Sequence, residues 1–286
     1  MRVEMHHLFE QLLETEAAQP EATLGFSLST PPALGEFLAE LDPGLSLDWS
    51  NESFQGLTRL REHVLRQMGL SGVLNTSDVL ITAGAAEANF LALTQLVQAG
   101  DELVLERPGW PQAEVLGRAK GAALRVLTRR EENAWRFDPD DLARLVTPKT
   151  KLIFLTNPNN PTGQVLSEAE LREVSRLAGR VGAYVLCDEV YAGLEWTGPR
   201  NPSVAGLYER GVASGSVSKT LGLQGLRTGW LVSPDASLIR DALVLRENSS
   251  EIMNVMGEVI AEVALRPERF ETALGRAREE GQRNLR

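Results

Sequence analysis

The sequence predicts an α/β protein built on a doubly wound, mostly parallel sheet of about seven strands. Short apolar runs, such as residues 152–155, alternate along the chain with longer segments of helical periodicity. This alternation is typical of a parallel sheet with helices on its faces. Polar clusters directly follow two of the runs, at 157–163 and 188–191. Because open α/β sheets bind ligands at the carboxyl ends of their strands, the pattern also predicts a binding site.

The elements follow in order from these two periodicities. Helices are predicted where apolar residues recur every three or four positions, and a capping box, Ser167 to Glu170, starts one of them. They lie at residues 8–13, 57–65, 85–97 and 168–182, and from 234 to the end. The predicted strands share short apolar runs and lie at residues 79–82, 103–105, 124–127, 152–155, 184–187, 212–213 and 230–232.

Composition excludes several functional classes. Of 286 residues, 43% are hydrophobic, which is enough for a sizeable core, and the net charge of −10 argues against a nucleic-acid or anionic-membrane partner. There is no run of about 20 apolar residues and no secretory leader pattern at the N-terminus, so no membrane partner is expected. The one cysteine, Cys187, lies in an apolar run, which indicates a packing role and a reducing, cytoplasmic location. His6 and His7 have no partner cluster, so no metal site is predicted.

The stretch 215–230 contains several residues whose side chains can bind a phosphate or form a covalent bond. Ser216, Ser218 and Arg227 offer hydroxyl and guanidinium donors to a phosphate, and Lys219 lies among them. A lysine amine held beside a phosphate-bearing aldehyde is the arrangement needed for a Schiff base. Taken alone, the stretch is equally compatible with a basic surface hairpin.

Two upstream clusters favour the functional interpretation. Asn160 follows one predicted strand and Asp188 ends another, and the positions 160, 188 and 219 are separated by 28 and 31 residues (160 to 188, 188 to 219). A strand-helix-strand unit takes about that many residues. The spacing can therefore bring Asn160, Asp188 and Lys219 to one edge of the sheet.

In this order, the motifs NPNNPTG (157–163), DEVY (188–191) and SVSKTLGLQGLRTGW (216–230) resemble those of the class I/II aminotransferases. The resemblance extends from about Leu24 to the end of the chain. It implies the large domain of a fold-type-I transferase that depends on pyridoxal 5'-phosphate (PLP), with an incomplete small domain. It also implies amino-acid and 2-oxo-acid substrates and a homodimer.

The resemblance assigns a role to each matched residue. Lys219 would hold PLP as a Schiff base and move protons at the substrate Cα, and Asp188 would pair with the pyridine nitrogen. Asn160 and Tyr191 would hydrogen-bond the phenolic oxygen of the ring. Trp110 would stack on the ring.

The phosphate of PLP would be held at the start of a helix in the same resemblance. Its partners would be the backbone amides of Ala85 and Ala86 together with Ser216, Ser218 and Arg227. An Asp at a strand end or an Asn in a turn also has purely structural uses, namely capping a helix or shaping the turn. The completeness and order of the set favour the PLP site.

The family pattern also divides the chain. Residues 1–45 are predicted to form an N-terminal arm, 46–233 the PLP-binding large domain, and 234–286 the helical start of a truncated C-terminal small domain. No arginine matches the family's clamp for the substrate α-carboxylate. Asn51 stands where the family often has a tyrosine that reaches the neighbouring subunit.

The predicted activity is amino transfer between an amino acid and a 2-oxo acid. The same residues also serve C–S lyases, decarboxylases and amino-acid oxidases, because the fold does not fix which Cα bond breaks. A third possibility is a PLP-binding fragment with impaired catalysis, whose helices beyond residue 234 would expose apolar stripes. Neither nucleotide-binding motif, G-x-x-x-x-G-K-[ST] or G-x-G-x-x-G, is present.

Overall fold

The computed structural model of the protein describes residues 2–18, 21, 27, 29–48, 53–136, 138–196 and 200–284. Seven strands form one sheet in the order β1-β7-β6-β5-β4-β2-β3. They are β1 (Val79–Thr82), β2 (Glu102–Arg107), β3 (Ala123–Thr128), β4 (Thr150–Thr156), β5 (Tyr184–Asp188), β6 (Gly211–Ser216) and β7 (Gly229–Val232). Only β7 runs antiparallel to its neighbours. The predicted mostly parallel, seven-stranded sheet is confirmed.

The helices surround this sheet. They are α1 (His7–Ala18), α2 (Thr58–Gln67), α3 (Ala85–Leu96), α4 (Gln112–Ala119), α5 (Pro139–Leu145), α6 (Glu168–Gly179), α7 (Ser218–Leu221), α8 (Ala236–Arg246), α9 (Val255–Ala264) and α10 (Pro267–Asn284). The predicted capping box of α6 is present, since the Ser167 hydroxyl accepts from the Glu170 amide and the Glu170 carboxylate accepts from the Ser167 amide. The short helices α4 and α5 were not singled out from the sequence.

Alternation along the strands divides the core into two layers. On β4, Ile153 and Leu155 face the layer that includes α2, α6, α9 and α10, whereas Leu152 and Phe154 face the layer formed with α3, α4 and α8. All four side chains are almost completely buried. Helices therefore cover both faces of the sheet, and the doubly wound architecture is confirmed.

The helices that follow residue 234 pack on this same core. Leu238 and Ile239 of α8 join the layer with α3, while Ile260 of α9 and Phe270 of α10 join the opposite layer. The expectation of exposed apolar stripes in this region is therefore wrong, because the sheet domain itself covers them. The boundary at residue 234 stays a prediction. In the part of the chain that the structure describes, no helix has the length and apolar character needed to cross a membrane.

Candidate active site

Lys219 lies in α7, one turn after the carboxyl end of β6. Its Nζ is 5.9 Å from the centre of the Tyr191 ring, and its backbone carbonyl accepts a hydrogen bond from the Ser29 hydroxyl at 2.7 Å. Partial burial lowers the pKa of Lys219; the charge of Asp188 opposes this effect and that of Arg227 adds to it. The amine is therefore shifted towards its neutral, nucleophilic form.

Asp188 ends β5 and is only 5% exposed. Its Oδ2 accepts from Nδ2 of Asn89 at 2.8 Å, and its Oδ1 accepts from the backbone amide of Val190 at 3.2 Å. Burial raises the pKa of Asp188 to about 6, although the Asn89 and Val190 hydrogen bonds and the charge of Lys219 oppose the rise. A carboxylate that is buried and held by two hydrogen-bond donors is suited to pairing with a cationic group.

Asn160 and Tyr191 meet at the same edge of the sheet. Nδ2 of Asn160 lies 3.4 Å from the Tyr191 hydroxyl, which also lies 2.7 Å from the hydroxyl of Ser27. Burial raises the pKa of Tyr191, so the phenol stays protonated and can donate a hydrogen bond. Together with Lys219, these two residues line a cavity of about 770 Å³. The structure thus brings Asn160, Tyr191 and Lys219 together, and Asp188 lies close enough to Lys219 for their charges to interact. The roles of these four residues stay predictions.

A buried ion pair fixes the loop that carries Asn160. Nε of Arg129 donates to Glu106 Oε2 at 2.8 Å, and the other oxygen of Glu106 accepts from Asn159 Nδ2 at 2.9 Å and from the Thr156 amide at 2.7 Å. Glu106 and Arg129 are 4% and 2% exposed. Since a buried charge is tolerated only when it is paired and hydrogen-bonded, this network ties the ends of β2, β3 and β4 together.

The N-terminus of α3 and Arg227 together form a candidate anion site. The intrahelical bonds begin at the amides of Glu87 and Ala88, so the amides of Ala85 and Ala86 lie at the open end of the helix. A Cβ on Gly84, where φ is +85°, would lie 2.4 Å from Nη2 of Arg227. Glycine therefore permits the close approach of the guanidinium.

Gly229 of the neighbouring strand β7 also lies close to this turn. A Cβ on Gly229 would lie 2.6 Å from the amide nitrogen of Ala85. Gly229 pairs with Ser216 across the sheet, which places Ser216 beside the start of α3. Backbone amides, a guanidinium and a hydroxyl converge here, and this donor set fits a phosphate.

The two serines of the motif precede Lys219. Ser216 is the last residue of β6 and Ser218 the first of α7, and the Ser218 amide donates to the Ser216 hydroxyl at 3.3 Å. They are 5% and 7% exposed. The turn from strand to helix thus holds both hydroxyls close to Lys219, and their contact with a phosphate stays a prediction.

Trp110 follows β2 in the loop that leads to α4. Its ring packs edge-on against Phe9 of α1, with centroids 5.6 Å apart, and it lines a cavity of about 990 Å³ beside the N-terminal segment. Gln112, the first residue of α4, connects this region to the site, because its Nε2 donates to the Ala86 carbonyl at 2.7 Å. Stacking of Trp110 on a ring therefore stays a prediction. Asn51 lies outside the described residues.

Sequence reasoning missed Asn89, Glu106 and Gln112. Asn89 gives a detectable sign, because it is a polar residue on the apolar, inward face of the predicted helix 85–97. Glu106 and Gln112 follow the predicted strand 103–105, where a polar residue is not unusual, so the sequence does not single them out. Within the described residues, no group of three or more His, Cys, Asp or Glu is placed to hold a metal ion.

The comparisons with known proteins agree with this geometry. The family model described as aminotransferase class I and II matches residues 52–285. Mouse kynurenine–oxoglutarate transaminase 1 is 34% identical over 185 residues, covering 60% of this chain and 43% of that protein. Aromatic-amino-acid aminotransferase 2 of Thermococcus litoralis is 32% identical over 216 residues, covering 72% and 54%. The chain thus spans about half the length of the curated relatives it matches.

Solved structures show the same fold. A PLP-dependent aminotransferase from Streptococcus suis superposes with a TM-score of 0.85 at 27% identity, covering 96% of this chain and 74% of that one. Aspartate aminotransferase from Thermus thermophilus, solved with maleate, has a TM-score of 0.83 at 22% identity, covering 98% and 75%. The second likeness concerns the fold alone.

Proposed function

This chain belongs to the class I and II aminotransferase family, and from that premise we propose that it binds PLP and moves an amino group between an amino acid and a 2-oxo acid. One observation carries the proposal. The amine of Lys219, whose pKa is lowered by burial, and the buried carboxylate of Asp188 interact at the sheet edge where Asn160 meets Tyr191. That set supplies a nucleophile, an acid–base group and a counter-ion in one place.

Bound PLP supplies an electron sink for the negative charge that develops at the substrate Cα. The ionised carboxylate of Asp188 would keep a proton on the ring nitrogen, which would strengthen that sink. Asn160 and Tyr191 would donate hydrogen bonds to the phenolic oxygen of the ring. Lys219 would bind the aldehyde carbon; once the amine of the substrate displaces it, its free amine would accept the proton from the substrate Cα as a base and return it as an acid.

The anion site at α3 orients the cofactor. The amides of Ala85 and Ala86, the guanidinium of Arg227 and the hydroxyls of Ser216 and Ser218 would hold the phosphate of the cofactor. Charged donors give the strongest of these bonds.

We also propose a cytoplasmic homodimer. A reducing compartment is supported by the single cysteine, Cys187, which is buried. Self-association is supported by large apolar side chains that are exposed between residues 34 and 54, namely Leu34, Leu38, Leu47 and Phe54. Light scattering of the purified chain measures the assembly; a monomer at all concentrations would contradict it.

The activity is tested by the absorbance spectrum of the purified chain with PLP, before and after addition of mixed amino acids and 2-oxoglutarate. We expect a visible band that is retained on desalting and changes on adding amino acids, with a keto acid and a new amino acid as products. Release of ammonia or CO2 instead would assign a lyase, oxidase or decarboxylase. Failure to retain PLP would overturn the proposal.

Arg227→Ala tests the phosphate site. We expect the Kd for PLP to rise about 10- to 100-fold, because a charge-assisted hydrogen bond is lost. Alanine keeps the Cβ at a residue whose φ is +52°, so the change isolates the guanidinium. The measurement is a PLP titration repeated with pyridoxal, which has no phosphate and should bind both forms equally. Arg240→Ala, at an exposed arginine of α8, is the control.

An equal loss of affinity for pyridoxal in Arg227→Ala would mean that Arg227 supports the fold of the site and does not contact the phosphate. An unchanged Kd for PLP would remove Arg227 from the binding site.

A further inference from the structure

Asn89 is a buried amide on an otherwise apolar helix face. It is 1% exposed, and Ala88, Leu91 and Ala92 beside it on α3 are completely buried. Burying an amide is unfavourable unless its donors and its acceptor are satisfied. The position of Asn89 therefore depends on its partners.

Those partners fix the orientation of the amide. Its Oδ1 accepts from the hydroxyl of Ser214 on β6 at 2.7 Å, and its Nδ2 donates to Oδ2 of Asp188 at 2.8 Å. An ionised carboxylate can only accept hydrogen bonds, so the NH2 group has to face Asp188 and the carbonyl Ser214. Ser214 thereby locks the amide in the orientation that serves Asp188.

The same amide connects Asp188 to the anion site. Nδ2 of Asn89 lies 3.3 Å from Oε1 of Gln112, and Nε2 of Gln112 donates to the carbonyl of Ala86 at 2.7 Å. Hydrogen bonds thus connect Ser214 through Asn89 both to Asp188 and, through Gln112, to the start of α3 at Ala86.

We propose that Asn89 is a positioning residue that keeps the Asp188 carboxylate ionised and aimed into the site, with Ser214 fixing its amide. The effect of Asn89 on turnover rests on the proposed function, whereas its effect on Asp188 does not. The hydrogen bond itself acts on Asp188 whether or not a ligand is bound.

The charges around Asp188 make this role specific. Lys219 on α7 faces it and favours the ionised form, whereas Glu189, Tyr191 and Cys187 on its own segment interact unfavourably with its charge. The neutral donors to Asp188 are Asn89 and the backbone amide of Val190. Neither donor titrates, so both remain donors over the whole pH range.

The test substitutes Asn89→Leu, which has similar volume and no donor. We expect the pKa of Asp188 in the cofactor-free chain to rise from about 6 by about one unit or more, since the bond stabilises the charged form. The readout is a pH titration of the carboxyl carbon by NMR, with the resonance assigned by its loss in Asp188→Asn. Leu93→Met, at a buried residue of the same helix, is the control and should leave this pKa unchanged.

Ser214→Ala supplies a second, milder variant. It frees the amide to rotate, so the pKa of Asp188 should rise by less than in Asn89→Leu. In the double variant, the pKa of Asp188 should be no higher than in Asn89→Leu alone, because Ser214 acts only through Asn89. A merely structural role would not produce this pattern. An unchanged pKa of Asp188 in both single variants overturns the inference; if Asn89→Leu does not fold, an unchanged pKa in Ser214→Ala alone overturns it.

A separate measurement follows in the PLP-loaded chain. The acid limb of the kcat profile should shift to higher pH in Asn89→Leu, with little change in KM. If the unsubstituted chain fails to retain PLP, the proposed function falls, but the titration of Asp188 still decides the role of Asn89.

Discussion

Lys219→Ala is expected to lower kcat/KM for amino transfer by at least about 10⁴-fold and to abolish covalent attachment of PLP. Lys219 supplies both the nucleophile and the base, and the neighbouring groups Asp188, Tyr191 and Arg227 carry no amine that could replace it. Activity is measured by coupled detection of the keto acid. Attachment is measured by borohydride reduction followed by mass spectrometry of the modified peptide.

The chain offers a matched control. Lys120, one of four lysines, also has a pKa that burial lowers, and its Nζ donates to the Thr94 carbonyl at 2.7 Å. It has the same chemistry as Lys219 without the carboxylate and the anion site. Lys120→Ala should therefore retain attachment and activity. Reduction that labels Lys120 as strongly as Lys219 would show that a lowered pKa alone selects the residue and would contradict the proposed site.

The features of the sequence that point to this edge of the sheet are local. Lys219 and Asp188 each stand where an apolar run gives way to polar residues, and such a boundary marks the end of a parallel strand. Gly84 likewise marks a tight turn before a helix, because its φ of +85° suits glycine. Strand ends and turns are encoded within a few residues, so the edge of the sheet that holds the site could be predicted.

What escaped prediction depends on contacts that are distant in sequence. Asn89 and Asp188 lie 99 positions apart, and the Glu106–Arg129 pair joins two strands 23 positions apart. The periodicity of the sequence does not reveal such a pairing, because the pairing can be predicted only when the order of the strands in the sheet is known. The same reason applies to α8 and α9, whose apolar faces were expected to be exposed until the sheet order showed which surfaces they cover.

Asp188→Asn is the second substitution with a large expected effect, and it should act on turnover and stability in opposite directions. We expect amino transfer to fall at least about 100-fold, because the neutral amide no longer keeps a proton on the ring nitrogen. Steady-state assays over pH 6–9 measure the loss. Asp241→Asn, at an exposed carboxyl of α8, is the matched control and should keep full activity.

The stability effect follows from the pKa of Asp188. In the folded chain this pKa is about 6, above the ordinary value of 3.8, so the folded state keeps its proton to higher pH than the unfolded chain does. The free energy of unfolding therefore falls as pH rises from about 4 to about 6, by up to about 3 kcal/mol, and the penalty persists above pH 6. Asparagine carries no charge and removes this dependence.

Urea unfolding of the cofactor-free chain at pH 4 and pH 8 tests this directly. At each pH, the unfolding free energy of Asp188→Asn is compared with that of the unsubstituted chain. From pH 4 to pH 8, the variant should gain stability relative to the unsubstituted chain by most of that 3 kcal/mol. The change between the two pH values reports the titration of Asp188, because asparagine at this position does not titrate. A difference that stays constant would mean that the Asp188 carboxylate is already fully stabilised by its donors in the folded chain. Its readiness to pair with a cationic ring would then have to come from geometry alone.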